Sequence, residues 1–344
     1  MDPQSTNKSE SIIEQKYKVS TTLGEGGFCI VLKGVKLDTN ETVAIKKTDK
    51  TKPIYKKFKT AEALTKMNNI MLKEATVMKA LTHPNLIKLI EMMDDGKHIY
   101  LVLQYAEGGD LFSRVISKGK FSESSSRTIV TQIISGIKYM HSRGYVHRDI
   151  KAENILFVTK TLNLRILITD FGLSREKADM MFTNCGTVVY SAPELLINKV
   201  NKEGYSYKVD NWGIGVLTYF ILSAKLPFTD PDSNENEIKR QILTGQVVFA
   251  KLQWKSVSRY AREFIQALLD SNPNTRMELD AAEYHTWISR RIKSREEEIQ
   301  IFPLMERKLK CVLASVRWKV LINIMVTIFI FTPFCRNLDS EDTP

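Results

Sequence analysis

A chain of 344 residues is long enough for one large domain or two medium ones, at about 100–200 residues per domain. Apolar residues at 43% and charged residues at 26% are ordinary globular proportions, which excludes collagen-like, low-complexity and wholly disordered chains. The formal net charge of +11 brings nucleic acid, anionic lipid and phosphate-bearing ligands into view without choosing among them.

In chain order, residues 1–16 read as a polar, disordered leader. Met1–Ser11 has no apolar core, so no secretory signal is expected there. From Tyr17 to Lys47 apolar and polar residues alternate as in short strands, and Asp38-Thr39-Asn40 suits a hairpin turn. A Lys-rich stretch runs on to Lys66, followed by a helical pattern over Ile70–Leu81 that His83-Pro84 ends. Strand-like runs over Ile87–Met92 and His98–Gln104 flank Asp94-Asp95-Gly96. From Leu111 onward helical signals dominate. Ile129, Ile133, Ile137 and Met140 recur at spacings of four, four and three, the buried stripe of an amphipathic helix that stops at Gly144. Further helices are expected over Trp212–Leu222, Glu235–Thr244, Ser258–Leu269 and Asp280–Ile288. The layout is α+β: a β-rich lobe over 17–105, a helical lobe over 106–288, and a tail over 289–344. Four cysteines, Cys29, Cys185, Cys311 and Cys335, are too scattered for a zinc pattern and too few for a disulfide framework, so reduced thiols in the cytoplasm are expected.

The chemistry lies in short runs. Gly24-Glu25-Gly26-Gly27-Phe28-Cys29-Ile30-Val31 sits between two strands, where small residues let backbone N–H groups approach phosphate oxygens. Taken alone it is equally a glycine-rich hairpin. Twelve residues after Val31 comes Val43-Ala44-Ile45-Lys46, a strand that would bring an ammonium near those phosphates. His147-Arg148-Asp149-Ile150-Lys151-Ala152-Glu153-Asn154 follows the amphipathic helix. Its carboxylate can orient a hydroxyl, its ammonium can neutralise a transferring phosphoryl, and its amide oxygen can bind Mg2+. Sixteen residues after Asn154, Asp170-Phe171-Gly172 closes an apolar run with a carboxylate suited to a metal, and Ser191-Ala192-Pro193-Glu194 follows.

In this order these motifs resemble the signature set of eukaryotic protein kinases, and the resemblance covers Tyr17 to Ile288. It implies a two-lobed kinase fold and an ATP-dependent, Mg2+-requiring phosphotransferase acting on proteins. Leu23 to Val31 resembles the loop over the ATP phosphates, departing from it at Cys29, where the family has a third glycine. The resemblance implies that Lys46 binds the α- and β-phosphates and pairs with Glu74. It places Leu103 beside the adenine pocket, has Gln104 and Ala106 bond the adenine, and has Val31, Ala44 and Leu156 enclose the ring. Asp149 resembles the catalytic base, Lys151 its cationic neighbour, and Asn154 and Asp170 the metal ligands. Glu194 is expected to pair with Arg276, and Met78, Leu89, His147 and Phe171 to form a packed column between the lobes. A pseudokinase scaffold is the competing class, and the presence of Lys46, Glu74, Asp149, Asn154 and Asp170 argues against it.

Lys151 marks the serine/threonine type of loop. Glu153 and Asp110 resemble acidic positions that recognise Arg upstream of a phosphosite. Asp110 also has the alternatives of binding the ribose or capping the helix that starts at Leu111. Arg148 suggests an activation-loop phosphate, and Thr183 stands at the matching position.

The tail carries three readings: a calmodulin-binding helix, a membrane contact, and a helix docked on the kinase core. Glu306 to Val316 resembles the calmodulin-binding helix of calcium/calmodulin-dependent kinases, the group this chain is most like. Leu309, Val312, Leu313, Val316 and Val320 form one apolar face. The rival is membrane contact through 320–335, which would leave a cytoplasmic kinase membrane-associated. That stretch is 16 residues, or ~24 Å of helix, where a span needs ~20 residues. Ten lysines against three acidic residues over 43–79 account for +7 of the net charge. With the excess concentrated there and no nucleic-acid motif in the chain, no nucleic-acid partner is expected.

Overall fold

The computed structural model describes residues 11–25, 29–50, 72–161, 163–171, 175–176, 188–197, 206–230, 232, 234–250 and 254–289. Five antiparallel strands form the first lobe: β1 (Tyr17–Glu25), β2 (Cys29–Lys36), β3 (Thr42–Asp49), β4 (Leu89–Asp94) and β5 (His98–Gln104), in the order β1-β2-β3-β5-β4. The β2–β3 turn falls on residues 37–39, and Asn40 takes the left-handed backbone (φ 55°) that asparagine tolerates. Alternation sorts the sheet into two faces. Ala44, Leu101 and Leu103 face α1 (72–80) and the main core. Tyr17, Val43, Ile45, Tyr100 and Val102 form a second cluster on the outer face.

That outer cluster extends the ordered chain beyond expectation. Residues 11–16, placed in the leader by their polarity, form a turn with Ile13 only 4% exposed. Ile13 joins Tyr17 on the sheet, Lys16 pairs with Glu91 at 2.8 Å, and the Tyr17 hydroxyl also donates to Glu91. One buried apolar residue in a polar run is too weak a signal to find in sequence.

The second lobe is built on α2 (Leu111–Lys118) and α3 (Glu123–Ser142). Two-stranded ladders follow, β6 (Tyr145–Val146) with β9 (Arg175–Glu176) and β7 (Ile155–Phe157) with β8 (Ile166–Ile168). The helices α4 (Pro193–Leu196), α5 (Lys208–Ser223), α6 (Glu235–Thr244), α7 (Arg259–Leu268), α8 (Leu279–Tyr284) and α9 (Thr286–Ser289) complete it. Ser122 caps α3, accepting from the Ser125 N–H at 3.2 Å, and its Ile129, Ile133, Ile137 and Met140 stripe is wholly buried. Every residue of α5 is buried, as expected of a helix apolar on all sides at the centre of a lobe.

The single helix expected over Asp280–Ile288 is two helices. His285 leaves the helical region (φ −58°, ψ 141°), and the turn lets Trp287 pack on Phe264 at 4.9 Å and donate to Glu123 Oε1 at 2.9 Å. Burial of an indole outweighs one continuous turn of helix. Among the described residues no helix is long and apolar enough to cross a membrane.

Candidate active site

The cleft between the lobes gathers two charged groups of residues. In the first, Lys46 on β3 donates to Glu74 Oε1 at 2.7 Å and to Asp170 Oδ1 at 3.4 Å. Glu74 comes from the first turns of α1, which is held down by Ala75, Val77 and Met78. Burial opposes the charge on Lys46, but the Glu74 and Asp170 carboxylates outweigh it and raise its pKa. Lys46 is thus a permanent cation at neutral pH.

In the second group Asp149 accepts from Lys151 Nζ at 2.5 Å and from Asn154 Nδ2 at 3.0 Å. Burial alone would lower the Lys151 pKa, and the charge of Asp149 reverses this and raises it. The Asn154 amide also donates to Asp149 O at 2.8 Å. Both its N–H groups point at Asp149, so its oxygen is the end left to offer a cation. Asp170 faces the same space. Burial acts to raise its pKa, and Lys46 followed by Lys151 holds the carboxyl below the ordinary range instead. One amide oxygen and one carboxylate are hard donors of the kind that would suit Mg2+. Among the described residues no group of three or more His, Cys, Asp or Glu converges on a cation position.

The backbone at these positions is unusual. Arg148 (φ 69°) and Asp170 (φ 67°) both occupy the left-handed region, which is costly for residues with a Cβ. Asp210, in the first turn of α5, offsets the cost at Arg148. Its buried carboxylate accepts the N–H groups of His147 at 2.9 Å and Arg148 at 2.7 Å, and lies 2.8 Å from His141 Nε2. Burial would raise the Asp210 pKa, but the His141 hydrogen bond and the neighbouring donors hold it low. The motif reading passed over Asp210. Its signal was a lone carboxylate, in Val209-Asp210-Asn211-Trp212, opening an otherwise apolar helix.

Ala44 and Leu103 pair across β3 and β5 and are both buried, while Val31 and Leu156 flank them half-buried. The Gln104 N–H donates to Lys88 O at 2.9 Å, so a bond from Gln104 to an adenine would use its carbonyl. Ala106 lies two residues on, half-buried. Leu23, Gly24 and Glu25 are exposed at the end of β1, and Cys29 and Ile30 open β2. Gly26, Gly27, Phe28 and Thr183 lie outside the described residues, as do the Lys-rich 51–66 and the tail from 290.

Met78 and Phe171 are buried in one continuous core with Leu89 packed half-buried against it, and the buried His147 has its ring 5.5 Å from that of Phe171. Glu194 and Arg276 form a two-pronged ion pair at 2.7 and 2.8 Å. Asp110 caps α2: Oδ1 accepts the Ser113 N–H at 2.6 Å and Oδ2 its hydroxyl at 2.7 Å. Asp110 is also bridged to Leu156, whose neighbourhood includes Glu153. Partial desolvation, and then the charges of Asp149 and Asp110, push the Glu153 carboxyl up.

Comparison with known proteins agrees with this geometry. Residues 17–288 match the protein kinase domain family. The chain is similar to "Calcium/calmodulin-dependent protein kinase type 1" of Macrobrachium nipponense, 36% identical over 309 residues, covering 89% of this chain and 84% of that one. It is 33% identical over 293 residues to "Calcium/calmodulin-dependent protein kinase type I" of Schizosaccharomyces pombe, covering 83% and 82%. It is 34% identical over 285 residues to "Serine/threonine-protein kinase H1" of Homo sapiens, covering 82% of this chain and 63% of that one. The chain belongs to the protein kinase family and is a protein serine/threonine kinase.

Proposed function

We propose that this kinase transfers the γ-phosphoryl of Mg-ATP to Ser or Thr hydroxyls with Arg upstream, under control of the activation loop and of a calmodulin-type tail. The observation that carries the catalytic part is the pair of linked groups, Lys46–Glu74–Asp170 and Lys151–Asp149–Asn154. Lys46 neutralises the α- and β-phosphates and Glu74 fixes its reach. Asp149 orients the acceptor hydroxyl and takes its proton, and Lys151 balances the charge that develops on the phosphoryl. Asn154 and Asp170 would hold Mg2+, which would supply further neutralisation of phosphate charge. The adenine lies between Val31, Ala44, Leu103 and Leu156.

Glu153 and Asp110 support the upstream-Arg reading because their mutual repulsion is relieved by a cation between them. Phosphorylation of Thr183 would add a dianion for Arg148 to hold. For the tail, the names of two of the relatives favour a calmodulin partner at 306–320 over membrane contact through 320–335.

A radiolabelled ATP assay tests the reading, using peptides with and without Arg three residues before Ser, with and without calcium–calmodulin. The expected result is turnover of the Arg peptide that calcium–calmodulin raises and that Asp149→Ala abolishes. Equal turnover of both peptides would reject the Arg reading, and indifference to calcium–calmodulin would reject the tail's role.

A further inference from the structure

We propose that Lys16, Tyr17 and Glu91 are positioning residues for ATP: they join the two edge strands of the five-stranded sheet, and the curl they fix holds the end of β1 against Lys46. The proposal rests on the reading that Lys46 holds the ATP phosphates. Tyr17 opens β1 and Glu91 lies in β4, the strands at opposite edges of the order β1-β2-β3-β5-β4. On a flat sheet four strand spacings, ~19 Å, would part them. Yet the Tyr17 hydroxyl donates to Glu91 Oε1, and Lys16 Nζ donates to Glu91 Oε2 at 2.8 Å. The sheet is therefore rolled about its outer face, where Ile13, Tyr17, Ile45 and Val102 pack together. Both edge strands carry the irregularities that such bending needs. The β1–β2 register shifts between Val19 and Thr22 and again between Thr22 and Gly24, and the β4–β5 register shifts between Leu89 and Glu91. Bulges of this kind bend a strand and increase its twist. Partial burial acts to raise the Glu91 pKa, and the hydrogen bonds from Lys16 and Tyr17 hold the carboxyl below the ordinary range instead. Its bonds are thus charge-assisted at neutral pH.

Strand register carries the curl to the phosphate site. Gly24, Val31 and Lys46 pair in one row across β1, β2 and β3. Thr22, Leu32, Ile45, Val102 and Glu91 pair in the next row, across all five strands. The β4 end of the join therefore lies in the row beside Lys46. Its β1 end, Tyr17, lies on the same strand as Gly24. Without the join, β1 is an edge strand free to hinge on its bulges, and Gly24 moves relative to Lys46. The adenine side differs. Ala44 and Leu103 pair on β3 and β5, which are flanked by a strand on each side and do not depend on the join. Ile13 and Lys16 precede the residues matched to the kinase family, 17–288, so part of this device is supplied by chain outside that match.

The test compares the full-length protein with its Tyr17→Phe and Glu91→Gln variants. Mg-ATP and adenosine each compete against a fluorescent ATP analogue, and steady-state kinetics give KM and kcat. Tyr17→Phe keeps the ring in the outer cluster and removes only the hydroxyl. Mg-ATP should bind about fivefold more weakly in both variants, part of the worth of a hydrogen bond to a charged acceptor, while adenosine stays within about twofold. KM for Mg-ATP should rise in step, and by a larger factor than kcat falls. A general loosening of the lobe would weaken both ligands alike, because adenosine uses the cleft without the phosphate row. Equal weakening of Mg-ATP and adenosine, or wild-type Mg-ATP affinity in both variants, would overturn the role of the join and leave that of Lys46 standing. A Lys46→Met variant with wild-type Mg-ATP affinity and turnover would overturn the reading of Lys46, and this proposal with it.

Discussion

Asp149 and Asp210 are both buried carboxylates of the helical lobe, and their partners give them opposite expected signatures. Asp149 bonds two side chains at the edge of the cleft, Lys151 and Asn154. Asp149→Ala should lower kcat by at least about 10²-fold, the usual worth of a general base, while the melting curve stays near that of wild type. Asp210 instead satisfies two backbone N–H groups of the catalytic loop, one of them on left-handed Arg148. Asp210→Ala should cost about 3 kcal/mol, because buried donors lose their acceptor. Calorimetry should show a clear fall in melting temperature, and steady-state kinetics a fall in kcat with little change in KM for ATP. The sequence singled out Asp149 because its run of neighbours is distinctive. Asp210 acts through space, on residues more than 60 positions away, and no local pattern announces it.

At the scale of elements, the catalytic loop is held from beneath by α5. A Cβ at Gly213 would lie 2.9 Å from Ile150 Cβ and 3.1 Å from Ile150 O, so the helix backbone presses directly on the residue after Asp149. Gly213→Ala should therefore displace Ile150, costing about 1–3 kcal/mol by overpacking. Urea denaturation reads the stability loss, and a kcat decrease exceeding that of a surface Ala control reads the shift of Asp149. The last helices make a second element-scale case. Trp287 fills a site between α7 and α3 and bonds Glu123, which also accepts from Ser258 N at 2.8 Å and Ser258 Oγ at 2.6 Å. Trp287→Ala should cost about 3–5 kcal/mol in chemical denaturation, as large aromatic truncations do. The helical period over Asp280–Ile288 was legible. The break at His285 was not, because it serves a contact with residues more than 160 positions earlier.

Across the whole molecule, carboxylates bind the lobes and loops together, and their pKa directions set the response to acid. Asp95 is held at about 2, with burial opposing the change and the His98 N–H leading the groups that outweigh it. Asp170 and Asp210 are also lowered against burial, by Lys46 and by His141 respectively. Each folded-state pKa lies below its unfolded value. Their stabilisation is therefore complete above the unfolded carboxylate range, about pH 4, and drains as pH falls through the folded values. Denaturant midpoints should be flat near neutrality and fall steeply below about pH 4, and Asp210→Asn should show a shallower fall. The basic excess does not enter this balance among the described residues, since much of it lies in 51–66.

The sequence by itself determined the family, the two-lobed order of strands and helices, and the identity of the charged residues in the cleft. Such information is local: alternation of period two, helical stripes of period 3.6, and catalytic runs whose members are neighbours along the chain. Only the tertiary structure decided that Asp110 caps α2, that Ile13 belongs to the outer sheet face, that Asp210 holds the loop carrying His147 and Arg148, and that Trp287 docks against Glu123 at the start of α3. Each of these depends on which distant groups are brought within hydrogen-bond or packing range. Cooperative burial fixes that choice over the whole chain at once, so no single stretch of sequence records it.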